Sequence, residues 1–566
     1  MAKIFQKSPK VLRRKFLAST GAALVGLTAT KSVADIAQSG AGQGAALIKT
    51  KAALTGAVER SVFDKLSDEV SLKDFGAVGD GTTDDRAALA MADAAGDFTI
   101  PAGTYKISSE ITISNTMTFK KGAILAPDAA VTITISGGVS AGNYQIFGTD
   151  GDIALSKVHM VDVIPITWFG ALPADLDTDM SDQSLADNNM LAIRKAVAMS
   201  DNGIPAGIYR TPTVFIPTGL FIVDDDDSDG IGVKVPSYAT ILGHGNSSVI
   251  RPKDSAKTMD IFAITDDGAG NILIDNFHIY GEASTQKNAQ QAISIKPPRG
   301  AVVYSTIGKD IFIKEMSGNG IKVVGKGLEN STIAAKIVRD CTLHNLLVTA
   351  CDRLTLRDGI YRTAKSGNSG AVFDGVGCKS ARISNCQFDE NNAHGLLISN
   401  IAGRFEFDNI RAQSNFTGCG VYLDRCDNAL ITGIFSEANA KQGIVFDGCD
   451  YVSAMGLYAR SNGQHGIYVG GSNNCNFNAP YSIGNGQETD DTYAGIYIGS
   501  ASGDNNIQAA TVRHAGGANQ HKYGIWIDGR TCRANLVTNN DLKNSGRTAN
   551  LFDDGSGTVT TTGNRV

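Results

Sequence analysis

Two aspartates at matching positions of a repeated segment could carry acid–base chemistry. Asp424 and Asp447 each stand four residues after a glycine that opens a short apolar strand, and they are 23 residues apart. If the two strands lie side by side, each carboxyl group could raise the pKa of the other, leaving one protonated and one ionised. Glycoside hydrolysis needs such a pair, an acid for the leaving oxygen and a base or nucleophile. Because an aspartate at a strand end also forms Asx-turns, turn structure is the alternative for both residues.

A second polar series lies on the strand that precedes each repeat glycine. It reads Asp389, Gln413, Glu437 and Arg460, and each member stands two residues before an asparagine. Asp389 and Glu437 are therefore further candidates for the catalytic carboxyl groups, and Arg460 is a candidate for holding a sugar. The alternative is a surface ion pair between Glu437 and Arg460, which would contribute little to stability.

Aromatic residues follow the same repeat two residues after the glycine, at Tyr422, Tyr468, Tyr497 and Trp526. Alternation along a strand points this position outward, because the residues on either side of it are apolar and face the interior. A line of exposed rings could hold sugar rings, whose axial C–H faces are apolar. Packing of this outer face against a loop or a neighbouring subunit is the alternative.

All of these positions depend on a glycine-initiated apolar strand that recurs through the second half of the chain. From residue 370 onward the glycines lie 25, 25, 23, 23, 29 and 29 residues apart. The gap from Gly320 to Gly370 is 50 residues, two steps of 25, and residues 345–348 fill the missing slot. A fixed period of this size indicates stacked units, so the sequence predicts an all-β solenoid. The repeat glycines are Gly320, Gly370, Gly395, Gly420, Gly443, Gly466, Gly495 and Gly524.

Asparagines and cysteines recur in step with this repeat. Asn391, Asn415, Asn439 and Asn462 resemble the ladders that satisfy the backbone of stacked turns, so we interpret them as structural. All nine cysteines follow residue 340, without CxxC or Cys/His metal spacing. We expect them to be free, buried thiols, which suits folding in a reducing compartment.

Composition excludes several functional classes. The chain has 566 residues and a net charge of −6, which argues against nucleic acid as a partner because phosphate binding needs a basic surface. It contains no run of 18 apolar residues, so we expect no membrane span. Residues 225–230 have the spacing of a calcium loop, but Pro236 stands where a glutamate is expected. An acidic surface turn is the preferred interpretation, calcium is the weaker alternative, and no other metal or cofactor is predicted.

The N-terminal half carries the most specific motif. Residues 73–85 read KDFGAVGDGTTDD and precede an alanine-rich helical pattern at 87–95 and a turn into a strand, IPAGTY, at 100–105. A second copy has WFGA at 168–171, a helical pattern at 188–199 and VFIPTG at 214–219. This arrangement resembles the pectate-lyase-like β-helix superfamily of rhamnogalacturonase-type and epimerase-type proteins, and most of all the phage or prophage tailspike depolymerases.

The resemblance implies a right-handed parallel β-helix whose open end is capped by short N-terminal helices. It also implies recognition and cleavage of a bacterial or plant polysaccharide, and a homotrimer if the protein is a tailspike. The chain lacks the paired aspartates with Gly-His-Gly of polygalacturonases and the Asp-Pro-His motif of mannuronan epimerases, so no catalytic residue of the family is carried over.

The predicted organisation has five parts. Residues 1–45 are either a twin-arginine export signal, since Arg13-Arg14 precedes a short apolar stretch, or a virion anchor. The remaining parts are a linker at 46–71, a small β-helix unit at 72–167, the main β-helix at 168–540 and a C-terminal end at 541–566. The location is then extracellular or in a virion tail, or periplasmic if the export signal is genuine.

Three functions are compatible with these residues. Hydrolysis of a polysaccharide is favoured, with Asp424, Asp447, Glu437 and Asp389 as candidate carboxyl groups. A lyase acting on a uronate-containing glycan is the nearest alternative, in which Arg460, Lys441 or Tyr422 would neutralise the uronate or take its proton. The third is a non-enzymatic adhesin or an exported factor for exopolysaccharide assembly.

Overall fold

The computed structural model describes residues 46, 48–175, 177–201, 211–225, 229–254, 257–282, 284, 290–401, 403–514, 519–560 and 562–566. Both interpretations of residues 1–45 therefore lie outside the described residues. The described chain is a parallel β-helix of about 18 turns with few helices, which confirms the predicted fold class. None of the helices described is long and apolar enough to cross a membrane.

The N-terminal region combines short strands with most of the helical structure. Three-stranded parallel sheets fill residues 80–155, after an antiparallel pair formed by Lys49–Thr50 and Arg60–Ser61. The short parallel strands are Asp80–Asp84, Phe98–Ile100, Gly103–Ile107, Ile111–Ile113, Met117–Phe119, Ala123–Pro127, Thr132–Ile135, Val139–Ser140 and Asp152–Leu155. The α-helices are α1 (Val62–Leu66), α2 (Arg86–Ala95) and α3 (Gln183–Ser200), and 3-10 helices cover Leu72–Phe75 and Ile166–Phe169.

Both predicted capping helices are present, and the second is longer than its sequence pattern indicates. The pattern at 188–199 becomes α3, which starts after Asp182 because the carboxylate of this residue accepts a hydrogen bond from the Leu185 N–H at 3.0 Å. The apolar side of α3 is buried against the first turns of the long β-helix, so the helix covers one end of that core.

Successive turns of the long β-helix stack their strands into a 15-stranded parallel sheet, in which Val302–Val303 and Leu328–Glu329 are additional short strands beside the main path. We call the outer side of this sheet the first face. Its strands are Ile231–Lys234, Met259–Ile264, Gln290–Ile295, Val302–Val303, Ile321–Val323, Leu328–Glu329, Leu346–Asp352, Ala371–Cys378, Leu396–Ile401, Val421–Cys426, Ile444–Asp447, Ile467–Gly470, Ala494–Gly499, Tyr523–Ile527 and Ala549–Asp553.

The rest of each turn belongs to a 21-stranded sheet that bends once per turn. We call the outer side before the bend the second face, as at Ala381–Ser384, and the outer side after it the third face, as at Gln387–Asp389. The strands are Val163–Pro165, Thr213–Ile216, Gly219–Val223, Thr240–Pro252, Leu273–Tyr280, Thr306–Ile307, Phe312–Lys314, Thr332–Ile333, Ile337–Arg339, Leu354–Arg357, Ile360–Arg362, Ala381–Ser384, Gln387–Asp389, Phe405–Gln413, Leu430–Glu437, Ser453–Arg460, Asn476–Asn478, Tyr481–Ile483, Asn506–Gln508, Thr511–Arg513 and Leu536–Thr538.

The corners between faces are made by single residues in the left-handed backbone region. Arg353, Asn385 and Glu390 exemplify the three corners, with φ of 50°, 52° and 56°. A left-handed residue turns the strand sharply while the next strand keeps its register, so each turn stacks on the one before. Asparagine tolerates this conformation well and larger side chains do not, so the bulky residues found there are costly for the fold.

Buried polar groups and thiols fill the interior beside these corners. The amide of Asn439 donates to the Asn462 Oδ1 at 2.9 Å, and its own Oδ1 accepts from the Asn415 amide at 2.7 Å. This continuous ladder of side-chain amides confirms the structural interpretation of the recurring asparagines. All nine cysteines are free and buried, as predicted.

Candidate functional site

The first face places Asp424 and Asp447 directly beside each other. Their Cα positions are partners on neighbouring parallel strands, as the 23-residue spacing predicts. The Asp424 carboxylate accepts a hydrogen bond from Arg425 Nη2 at 2.7 Å, and the Asp447 carboxylate accepts one from the Tyr422 hydroxyl at 2.7 Å. Among the hydrogen bonds described, none joins the two carboxyl groups, so each is held by its own donor.

The same contacts favour the protonated form of both donors. Burial raises the pKa of Tyr422, and the hydrogen bond to Asp447 raises it further, so its hydroxyl keeps its proton. The hydrogen bond to Asp424 raises the pKa of Arg425, and the charges of Asp447 and Asp374 add to that rise. A fixed cation therefore lies among three carboxylates on this face.

The aromatic row is in register, but two of its four rings face each other. Tyr422, Val445, Tyr468, Tyr497 and Trp526 occupy one position on five successive strands. The rings of Tyr468 and Tyr497 are stacked, 5.1 Å apart and 11° from parallel, whereas Trp526 meets Tyr497 edge-on at 86°. Rings repeated at the strand spacing cover each other's faces. The predicted open platform is therefore wrong for Tyr468 and Tyr497, which offer ring edges and hydroxyl groups instead.

Glycines allow these tyrosine rings to lie along their own strands. A Cβ atom added at Gly470 would stand 2.5 Å from the Tyr468 ring, and one added at Gly499 would stand 2.4 Å from the Tyr497 ring. These glycines occupy the row of Asp424 and Asp447. On the turns of Gly470 and Gly499, a tyrosine ring therefore lies where the earlier turns have a carboxylate. The Tyr497 hydroxyl instead reaches the Asp528 carboxylate at 2.6 Å.

The second polar series forms a row on the third face. Asp389, Gln413, Glu437 and Arg460 are partners on four successive strands, as their sequence spacing predicts. The four predicted carboxyl groups therefore belong to two different sheets, with Asp389 and Glu437 on one and the other pair on the first face. No hydrogen bond or ion pair described in the structure connects the two pairs.

Asp389 is the most unusual carboxyl group of this row. It is 7% exposed, and its Oδ1 atom is buried without a hydrogen-bond partner in the described structure. Burial raises the pKa of Asp389 to about 6, although the charges of Arg411 and Arg362 oppose the rise. A carboxyl group in such surroundings can carry a proton at mildly acidic pH and donate it.

Glu437 has a different environment two turns further along. Its Oε1 atom lies 3.5 Å from the Arg460 Nε atom, and the side chain of Arg460 is half exposed. Between the two carboxyl groups, the Gln413 Oε1 atom accepts a hydrogen bond from the Arg411 Nε at 3.0 Å. The row thus presents a buried acid, a polar amide and an arginine-paired carboxylate in line.

An aromatic row on the third face was missed by the sequence reasoning. Phe435, Tyr458 and Tyr481 stack in sequence with ring centroids 4.8 Å apart, and Arg411 lies over the first ring at 5.7 Å. They stand two residues before the polar row and recur every 23 residues. This 23-residue spacing is the signal in the sequence that indicates the row.

The predicted calcium loop lies partly outside the described residues, which omit 226–228. Asp225 is buried and pairs with Arg194 at 3.1 Å, and its other oxygen accepts the Gly230 N–H at 3.0 Å. In the part of the chain that the structure describes, no group of three or more His, Cys, Asp or Glu residues is arranged to hold a metal ion.

Comparison with known proteins supports the fold and a short sequence relationship. No protein-family profile matches the chain. A 67-residue segment is 51% identical to the tail spike protein of an Escherichia phage, which is 12% of this chain and only 8% of that protein. The A-module of the mannuronan C-5 epimerase AlgE6 of Azotobacter vinelandii superposes with a TM-score of 0.50 at 16% identity, over 71% of this chain and 99% of the module.

The chain has a parallel β-helix fold like that of the epimerase module. Tailspike protein 2 of a bacteriophage of Escherichia coli O157:H7 is also similar, at 14% identity over 67% of this chain and 42% of that protein, with a TM-score of 0.31. Identities at this level concern the path of the backbone alone, and the chemistry of this β-helix depends on its own side chains.

Proposed function

We propose that the protein binds a polysaccharide along its outer surface and hydrolyses it, with Asp389 as the acid and Glu437 as the base. One observation carries the proposal: a single outward row contains a buried carboxyl group with an unpartnered oxygen and, two turns on, a carboxylate paired with an arginine. Glycoside hydrolysis requires one carboxyl group that gives a proton and another that takes one.

The distance between Asp389 and Glu437 fits the inverting class of glycosidases. Two steps of roughly 4.8 Å separate the strands of Asp389 and Glu437, or about 9.6 Å between Cα atoms. Inverting glycosidases hold their carboxyl groups about 6.5–9.5 Å apart, which leaves room for the attacking water. Asp389 would protonate the leaving glycosidic oxygen as its bond to the anomeric carbon breaks. Glu437 would take a proton from the water that attacks that carbon. The ion pair with Arg460 would hold the Glu437 carboxylate in position.

The test is the appearance of new reducing ends in a panel of bacterial surface and plant polysaccharides. Wild-type protein should release them from at least one member of the panel. Asp389→Asn and Glu437→Gln should each lower kcat by at least about 100-fold, since each removes one proton-transfer group. The initial product should have the inverted anomeric configuration, which nuclear magnetic resonance can read directly.

Asp424→Asn and Asp447→Asn test the competing pair on the first face. Neighbouring strands place those carboxyl groups about 4.8 Å apart, close to the spacing of retaining enzymes. If these two variants lose activity while Asp389→Asn keeps it, hydrolysis occurs on the first face and the proposed pair is wrong. Glycan binding without any new reducing ends would favour the adhesin or assembly factor instead.

A polysaccharide lyase is the second candidate, and a row of cations favours it. Lys314, Arg339 and Arg362 precede Asp389 on successive strands of the third face and could neutralise a uronate carboxylate. Tyr422 is poorly suited to be the base, because burial and Asp447 raise its pKa. Lysis would produce an unsaturated sugar that absorbs in the near ultraviolet, and hydrolysis would not.

The short identity to a phage tail spike protein supports a location in a virion tail or outside the cell. In that setting a homotrimer is the expected assembly, and sedimentation of the full chain would measure it. The glycan would then contact hydroxyl groups and ring edges of the aromatic row, which consists of Tyr422, Tyr468, Tyr497 and Trp526. The Trp526 ring meets Tyr497 edge-on and is not part of the parallel stack.

A further inference from the structure

A groove runs along the corner between the first and second faces, on a different part of the surface from the row of Asp389 and Glu437. Two clefts of about 290 and 480 Å³ meet there and share Arg404 as a lining residue. We call the two clefts together the corner groove. Its larger and polar lining residues are Arg353, Ser380, Arg404, Asn428 and Tyr451 at the corner and Thr355, Arg382, Glu406, Leu430 and Ser453 on the second face.

The register of the β-helix makes this groove linear. Thr355, Arg382, Glu406, Leu430 and Ser453 are partners on five consecutive strands. Four steps of roughly 4.8 Å give a length of about 19 Å parallel to the helix axis. An extended oligomer with regularly spaced polar groups is the kind of ligand that such a groove fits.

Tyr451 is the aromatic side chain of the groove and is unlike the stacked tyrosines. It is 62% exposed, and the ring contacts described in the structure do not include it. Its corner position has φ of 58°, where the equivalent residues one turn before and after are Asn428 and Asn474. A bulky residue is strained in this region and asparagine is not, and Tyr451 places its open ring at the groove.

The arginines of the groove are already paired with carboxylates. Arg404 lies 3.2 Å from Glu406 and Arg382 lies 3.8 Å from Asp408, while Arg353 binds both Glu329 and the Asn330 Oδ1. Counted with these carboxylate partners, the groove carries little net charge and offers both hydrogen-bond donors and acceptors. Sugar hydroxyl groups both donate and accept, so they match such a surface better than an anion does.

We infer that the corner groove is a second, non-catalytic binding site for an uncharged oligosaccharide segment. Tyr451 covers the apolar face of one sugar, and the paired arginine and glutamate side chains bind hydroxyl groups. This inference rests on the proposed polysaccharide binding, but it assigns contacts on a different surface from the hydrolytic row.

The experiment uses the full chain carrying Glu437→Gln, so that bound glycan is not cleaved. The probes are arrayed uncharged oligosaccharides long enough to span five turns, and the best binder is then titrated by calorimetry. Adding Tyr451→Ala or Arg404→Ala should raise Kd at least about 10-fold. Because charges in the groove are paired, Kd should change less than about threefold between low and high salt.

Tyr304→Ala is the matched control. Tyr304 belongs to the same corner row, is 63% exposed and has φ of 50°, but it lies outside the groove. It should leave Kd unchanged, and thermal unfolding of every variant checks that the fold is intact.

The inference is overturned if no uncharged oligosaccharide binds, or if binding survives both groove substitutions. The reducing-end assay on the wild-type protein reports hydrolysis separately. Binding in the groove without hydrolysis would refute only the proposed catalysis, and hydrolysis without groove binding would refute only this inference.

Discussion

The burial of the Asp389 side chain predicts how the rate of hydrolysis depends on pH. Burial raises its pKa to about 6, so the carboxyl group is protonated below that pH and ionised above it. As the acid of hydrolysis it must be protonated, and kcat/KM should therefore fall as pH rises through about 6. Initial rates from about pH 4 to 8 would measure this fall in kcat/KM. A rate that increases through pH 6 would instead make Asp389 a base, as lyase chemistry requires.

Tyr451 should show a conflict between stability and binding. A left-handed φ of 58° costs a non-glycine residue roughly 1–2 kcal/mol, and asparagine is one of the few residues that tolerate it. Tyr451→Asn should therefore raise the free energy of unfolding by about 0.5–1 kcal/mol while weakening glycan binding. Denaturant unfolding measures the first effect. A destabilised variant would mean that the exposed ring makes stabilising contacts.

At the scale of the element, the asparagine ladder should hold the turn between the third and first faces. Asn439→Ala removes the acceptor of both the Asn415 backbone N–H and its side-chain amide, which lie 3.1 and 2.7 Å away. Two buried donors then lack partners, so we expect a loss of roughly 2–4 kcal/mol in the free energy of unfolding.

The exposed Asn478 on the second face offers the matched control for that measurement. Asn478→Ala should change the free energy of unfolding by less than about 0.5 kcal/mol, because its side chain is in solvent. Equal effects at the two positions would show that the ladder is not what stabilises the turn.

At the scale of the whole molecule, the solenoid buries every cysteine that it contains. All nine are free and inaccessible, and burial raises the pKa of Cys341 and Cys386 to about 12. Because the thiolate is the reactive form, the native protein should resist a thiol reagent such as Ellman's reagent. Titration in denaturant should reveal nine reactive thiols, and rapid labelling of the folded protein would contradict the close packing of this core.

The sequence by itself determined which residues are neighbours along the β-helix axis. Parallel strands stack in register, so a fixed spacing along the chain becomes a fixed step in space. The adjacency of Asp424 and Asp447 and the row from Asp389 to Arg460 follow from counting residues. The same count would have given the aromatic row at Phe435, had it been applied to that position.

Only the tertiary structure decided what those neighbours do to one another. The stacking of Tyr468 on Tyr497 depends on side-chain rotation, and the burial of Asp389 depends on how adjacent turns pack. The corner groove depends on where each turn bends, and turns of different length can share one register. Spacing along the chain encodes the step between turns, whereas solvent exposure, ring orientation and pKa arise from packing in the other two dimensions.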